Sequence, residues 1–343
     1  MMNLFTPIAK EEKLHPIFKL LLQKQYQPER EVLNLWAKGF EDRDGKFVYE
    51  FQTTFESSMW ELYLNAFLNE LGANTDFSHY APDFVTELDR SIILEATIAA
   101  PPQGGEAPAG HSQMFAPTDF ATFNQQSAIR ISNSLSSKIK KYRTSYSKLE
   151  HVKDKPYVIG LASFDRPYSH YAVNRGIVAV LYGLYVDEET TIATGSSELI
   201  KYPVDAVFKN ESVTIPLGLF TTTEYKDVSA VIYSSLATWG KIRALADNPD
   251  SQTVYHTSHL PVGDSIFPEM RNTIKADYVE NIADGLHILH NPFAEHPLDV
   301  SSFNHERVAQ YFVNPETGII DIVAPDDFLL LRQLMSVVVR SDA

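Results

Sequence analysis

Apolar positions recur every three or four residues in some stretches of the chain and run unbroken in others. The first habit marks helices and the second marks buried strands. His15 to Phe40 reads as one or two amphipathic helices, with Ile17, Leu20, Leu21, Leu33 and Trp36 as the apolar set. Asp42 to Gly45 is a turn, and Lys46 to Gln52 alternates weakly, which predicts a short strand. Thr53 or Thr54 then caps a helix that runs to about Leu71 and is stopped by Gly72. Two strand-like segments follow, one around Pro82-Asp83-Phe84 and one from Ile92 to Thr97, with a turn at Asp89-Arg90 between them. Pro101 to Pro117 holds four prolines and three glycines and predicts a loop. Asp119 to about Leu149 predicts a long helix, since Ile131, Leu135, Ile139, Tyr142, Tyr146 and Leu149 stand three or four apart. Tyr157 to Phe164 is a buried-type strand, and Tyr171 to Tyr182 is a helix or an apolar connector.

Beyond Glu188 the composition moves towards Thr, Val, Ile and Tyr. Strands are predicted at 213–219, 227–234 and 254–260, a helix at 237–246, a mixed segment at 274–289 and a terminal apolar segment at 328–339. The order predicts an α/β (α+β) protein with a mixed central sheet flanked by helices and a β-rich C-terminal extension. The expected division is a helical segment at 1–45, a core at 46–186 and the extension at 187–343, packed on the core.

Composition narrows the function classes. With 343 residues and 44% hydrophobic content, the chain can bury a sizeable core. No apolar run reaches the roughly 18 to 20 residues that span a bilayer. Met1 to Leu14 carries Lys10, Glu11, Glu12 and Lys13 in place of the apolar stretch of a signal peptide, and there is no cysteine. Both point to a cytoplasmic protein without a membrane partner, and the second excludes disulfides, thiolate zinc sites and a cysteine nucleophile. The formal net charge of −15 argues against broad DNA affinity, so any nucleic-acid site must be a local basic patch on an acidic body.

The candidate chemistry begins with Asp83 and Glu95, two acids at the ends of neighbouring strands. A buried carboxylate there needs compensation, and a divalent metal such as Mg²⁺ or Mn²⁺ supplies it through oxygen ligands. Helical geometry sorts the remaining charges. With Phe55 as zero, Ser58, Glu61, Asn65 and Asn69 fall together at roughly 240° to 320°, so Glu61 reads as a solvated surface acid. Glu56 falls at about 100°, between Tyr63 and Phe67. There it is either a functional group or a buried, hydrogen-bonded acid. On the long helix Lys138 lies about 60° from the apolar stripe, and Lys140, Lys141 and Lys148 lie about 120° to 140° away. Those three read as solvated charges. Lys138 can lay its stem on apolar surface and send its ammonium to a neighbouring site, or simply snorkel. Arg130 and Asn133 are further polar groups on that helix.

Other chemistries find less support. His287 and His290, like His256 and His259, are spaced i, i+3; the latter segment reads as a strand, which puts its pair on opposite faces. Neither pair forms a His-Glu-X-X-His motif, and the chain has no phosphate-cradling glycine loop and no Gly-X-Ser-X-Gly elbow.

At Glu56, Asp83, Glu95 and Lys138 the chain resembles the PD-(D/E)XK phosphodiesterase superfamily, with its restriction-endonuclease-like fold. The pattern there is a helix acid, then Pro-Asp, then an apolar strand ending Glu-X-Lys. Here the strand ends Glu95-Ala96-Thr97. Thr97 stands where the lysine is expected, and Lys138 on the following helix is placed to take its role. The segments 55–64, 81–84, 134–142, 155–159, 227–234 and 290–294 are similar to a family of uncharacterised bacterial proteins. The resemblance implies a Mg²⁺- or Mn²⁺-dependent nuclease acting on DNA, in restriction or phage defence. Asp83, Glu95 and Glu56 would hold the metal, Lys138 would assist, and Arg130, Asn133 and Lys141 would contact nucleic acid. A homodimer, or a partner protein on the C-terminal half, would fit the same picture. The alternative is a catalytically inactive binding or regulatory module, motivated by Thr97 and the acidic charge.

Overall fold

The computed structural model describes residues 2–109 and 115–338. The N-terminal region forms α1 (Pro16–Leu21), α2 (Gln27–Trp36), α3 (Phe47–Thr53) and α4 (Phe55–Glu70). The strand expected at Lys46 to Gln52 is therefore a helix. Its alternation is that of Phe47 and Phe51, one helical turn apart and both buried, while Tyr49 between them is exposed. The turn acids start the helix, because Asp42 accepts from the Phe47 N–H and Asp44 from the Lys46 N–H. Thr54 occupies the cap position of α4 without capping it; its hydroxyl donates back to the Glu50 carbonyl. Gly72, at φ 73°, takes the left-handed conformation that ends the helix.

Strands β1 (Asn74–Asp76), β2 (Phe84–Glu87) and β3 (Ser91–Ala99) lead to α5 (Phe120–Thr144) and then to β4 (Tyr157–Ser163). Asp119 caps α5 by accepting from the Thr122 N–H. The helix stops at Thr144, short of the expected Leu149, and Tyr146–Lys148 forms a separate 3₁₀ turn. The expected loop at 101–117 is irregular where described, and its residues 110–114 lie outside the described residues. Next come α6 (Arg175–Tyr182), β5 (Leu184–Val186), α7 (Glu188–Thr194), β6 (Lys201–Pro203), β7 (Ala206–Asn210) and β8 (Val213–Pro216). The chain then forms β9 (Ala230–Ser234), α8 (Trp239–Leu245), β10 (Ser251–His259), β11 (Glu269–Ile274) and β12 (His287–His290). It closes with β13 (Ala309–Val313), β14 (Ile320–Val323) and β15 (Leu329–Val338); residue 339 of the expected terminal segment lies outside the described residues.

The main sheet has eight strands in the order β1-β2-β3-β4-β9-β12-β13-β14. It is mixed: β3, β4 and β9 run parallel, β2 is antiparallel to β3, and β12 is antiparallel to β9. Four of its strands precede residue 187 and four follow it, so the C-terminal half completes the sheet as well as adding the small sheet β11-β10-β15. Helices cover both faces. Phe51, Trp60, Tyr63, Leu64 and Ile242 fill one side, and Ile131, Leu135, Ile159, Ile177 and Tyr233 fill the other. β3 shows why the sheet holds its register. Its period of two sends Ile92 and Leu94 towards α4 and Ile93 towards α5, and a slip of one residue would exchange the faces. Glu95 has the parity of Ile93, which puts a carboxylate inside the α5 layer.

Candidate functional site

Residues Asp83 and Glu95 face each other across the β2–β3 hairpin, where Phe84 pairs with Leu94. They are tied reciprocally. The Asp83 N–H donates to Glu95 Oε2 at 3.3 Å, and the Ala96 N–H donates to Asp83 Oδ2 at 2.8 Å. Glu95 is fully buried, and α5 supplies its compensation. Lys138 Nζ lies 2.7 Å from Glu95 Oε1 and Lys141 Nζ lies 3.2 Å from the same oxygen. The Tyr146 hydroxyl, from the turn after α5, donates to it at 3.1 Å. Arg43 closes the other side. Its Nη1 donates to the carbonyls of His79 and Pro82 at 2.7 and 2.8 Å, and its Nη2 stands 3.6 Å from Asp83 Oδ1.

Burial is the first influence on the Asp83 and Glu61 carboxyls. Burial, then the charge of Glu95, raises the Asp83 carboxyl from its ordinary 3.8 to about 6, against the pull of Lys138, Ala96 and Arg43. Glu61, half-buried on α4, is also raised well above the ordinary carboxylate range, first by burial and then by the charge of Asp83. Burial works against the charge on Lys138, but Glu95, Asp83 and Glu61 outweigh it, so its pKa is raised and it remains an ammonium. Burial and Glu95 push the Tyr146 phenol up, keeping it a donor.

The structure brings Asp83, Glu95, Lys138 and Lys141 together and leaves Glu56 elsewhere. Glu56 Oε1 lies 3.2 Å from His15 Nε2, beside a cleft of about 480 Å³ lined in part by Ile17, Met59, Phe164 and Trp239. The helix acid near the strand acids is Glu61, which the helical arithmetic had assigned to solvent. The correction has a geometric cause. Five residues separate the two acids by about 140° and 7.5 Å along α4, so they cannot share a site. The polar face also meets water only in part: Ser58 and Asn65 are buried, Glu61 is half-buried and Asn69 is exposed, and Asn65 donates to the carbonyls of Trp36 and Lys38. With α4 enclosed on nearly all sides, polarity no longer marks the outside. Lys141, expected as a solvated charge, is half-exposed yet reaches Glu95.

Arg130 is half-buried and Asn133 exposed, on the stretch of α5 that precedes Lys138. Thr97 is half-buried two residues beyond Glu95, and the ammonium comes from Lys138. His287 and His290 lie on strand β12, buried, bonded to Tyr311 and Gln310. Sequence reasoning missed Arg43, inside the predicted turn, and Tyr146, counted only as an apolar stripe position. The signal for Tyr146 was its hydroxyl, at the end of the stripe where the lysines gather.

The donor set fits a hard divalent cation: Asp83 and Glu95 place two carboxylates side by side, and both are oxygen ligands. No three His, Asp or Glu side chains stand in a ligating array among the described residues. An ion held by Asp83 and Glu95 would therefore draw further ligands from the backbone and water, as Mg²⁺ commonly does. No helix among the described residues is long and apolar enough to cross a membrane. Comparison with family models, curated proteins and solved structures finds no match to this chain.

Proposed function

We propose that this protein is a Mg²⁺-dependent phosphodiester hydrolase of the PD-(D/E)XK kind, acting on DNA. The observation that carries the reading is the convergence of Asp83, Glu95 and Lys138, each from a different element, at 3.3 Å or less between bonded groups. The element order α4-β1-β2-β3-α5-β4, with β3 parallel to β4, supports a restriction-endonuclease-like core around it. Asp83 and Glu95 would hold the ion, with Glu61 as the helix acid beside them. A bound Mg²⁺ supplies a water of lowered pKa and stabilises charge on the phosphoryl oxygens. Lys138, kept protonated by its carboxylate neighbours, offsets negative charge where it develops. Arg130, Asn133 and Lys141 offer phosphate contacts along α5, a local cationic stretch on a body of net charge −15.

A second reading, an inactive member serving as a binding or regulatory module, is favoured by one feature. Glu95 Oε1 is already engaged by Lys138, Lys141 and Tyr146. The test incubates the purified protein with plasmid, linear and single-stranded DNA and with RNA, in Mg²⁺ or Mn²⁺. Cleavage by the wild type that Asp83→Ala and Glu95→Ala each abolish is the expected result. Equal cleavage by all three proteins refutes the assignment. Absence of cleavage together with absence of Mn²⁺ binding favours the module.

A further inference from the structure

Three donors converge on one oxygen of Glu95, and they are not equally held. The Tyr146 hydroxyl is buried at 3.1 Å. Lys138 is closest, at 2.7 Å, with one fifth of its side chain exposed. Lys141 is the most distant, at 3.2 Å, with half of its side chain exposed. Its ammonium also rests 4.7 Å from the centre of the Tyr146 ring, a contact it keeps without Glu95. A carboxylate oxygen has two lone pairs. The third donor is in excess, and the half-exposed one costs least to remove.

Resting on the hydrolase reading, we propose that Lys141 is an exchangeable counterion. It neutralises Glu95 in the metal-free protein and, once Glu95 turns to a divalent ion, swings out along α5 to a phosphate of the nucleic acid. Lys138 stays, because its stem is packed and its bond is the shorter one. Lys141 is thus a positioning residue with two alternative partners. Whatever draws it away from Glu95 makes room for the metal, so metal and nucleic acid tighten one another's binding through it. Such coupling is reciprocal by linkage.

Mn²⁺ titration by calorimetry separates the possibilities. Lys141→Met is expected to bind Mn²⁺ about threefold to fivefold more tightly than wild type, the scale of a half-exposed ion pair. Lys140→Met, one residue away and equal in charge change, is expected to alter affinity by less than about twofold, because its ammonium makes no contact with Glu95. In parallel, Ca²⁺ should tighten wild-type binding to a short DNA duplex, and Lys141→Met should show a smaller tightening, because only the metal's own contact with phosphate then remains. If wild type binds Mn²⁺ but Lys141→Met binds it equally or more weakly, the exchange is refuted while the hydrolase reading stands. Equal gains in the Lys140 and Lys141 variants refute it too, since bulk charge then accounts for the effect. If wild type binds no Mn²⁺, both readings fall together.

Discussion

Asp83→Asn should make the protein more stable at neutral pH and less able to bind metal. The folded protein raises the Asp83 carboxyl from 3.8 to about 6, so folding takes up a proton there between those pH values. The sign follows. Where the native state binds more protons than the unfolded state, stability falls as pH rises, so this contribution is present below about pH 3.8 and is lost by about pH 6. At about 1.4 kcal/mol per tenfold, ionised Asp83 costs roughly 3 kcal/mol at pH 7.5. Asparagine removes that cost and can still accept from the Ala96 N–H, but it forfeits the 3.6 Å approach of Arg43 to Asp83, worth up to about 1 kcal/mol. A net gain of about 1–2 kcal/mol is expected at pH 7.5, shrinking to nothing near pH 4. Urea denaturation of both proteins at several pH values, without divalent ions, reads the difference directly. A variant less stable than wild type at pH 7.5, or a difference independent of pH, would refute the reasoning. Adding Mg²⁺ should stabilise wild type and leave the variant unchanged, which is the pattern of a site that sacrifices stability for function.

Other outcomes follow from the geometry. Glu61→Gln should weaken Mn²⁺ binding several-fold, whereas Glu56→Gln, paired with His15, should leave it unchanged; the reverse pattern would restore Glu56 to the site. Lys241→Met should destabilise the fold by about 3–5 kcal/mol in chemical denaturation, because a buried pair is being broken. Lys241 and Glu280 are both fully buried, 2.5 Å apart, and Lys241 also donates to the Asn281 and Asp284 carbonyls; a loss below about 1 kcal/mol would show that Arg332 and Tyr278 compensate Glu280 alone. Tyr146→Phe should leave folding nearly intact but loosen Glu95, seen as a change of less than twofold in Mn²⁺ affinity beside a larger loss of cleavage rate. An equal loss in both would make Tyr146 a determinant of metal binding instead.

The helix over Asp119 to Thr144 and the strands around Asp83 and Glu95 could be read from the chain because their signals are local. Stripes of Ile131, Leu135 and Ile139, or a run such as Ile92-Ile93-Leu94, need no partner to be recognised. The seven residues from Lys46 were misread because Phe47 and Phe51 satisfy a strand and a helix alike in so short a window. The acids of α4 were misassigned for another reason. Angular position tells the outside from the inside only on a half-exposed helix, and α4 is packed against the sheet through Trp60 and against the N-terminal helices through Asn65.

What the sequence determined by itself is the pair of acids on adjacent strands and the availability of Lys138 on the next helix. Each is a matter of residue type at a local spacing. The tertiary structure alone decided that Glu61 rather than Glu56 accompanies them, that Arg43 and Tyr146 complete the cluster, and that residues beyond 187 supply half of the main sheet. Those facts depend on which faces meet across long stretches of chain. Packing sets that by burying the most apolar surface with every charge accounted for, and no local window contains the choice.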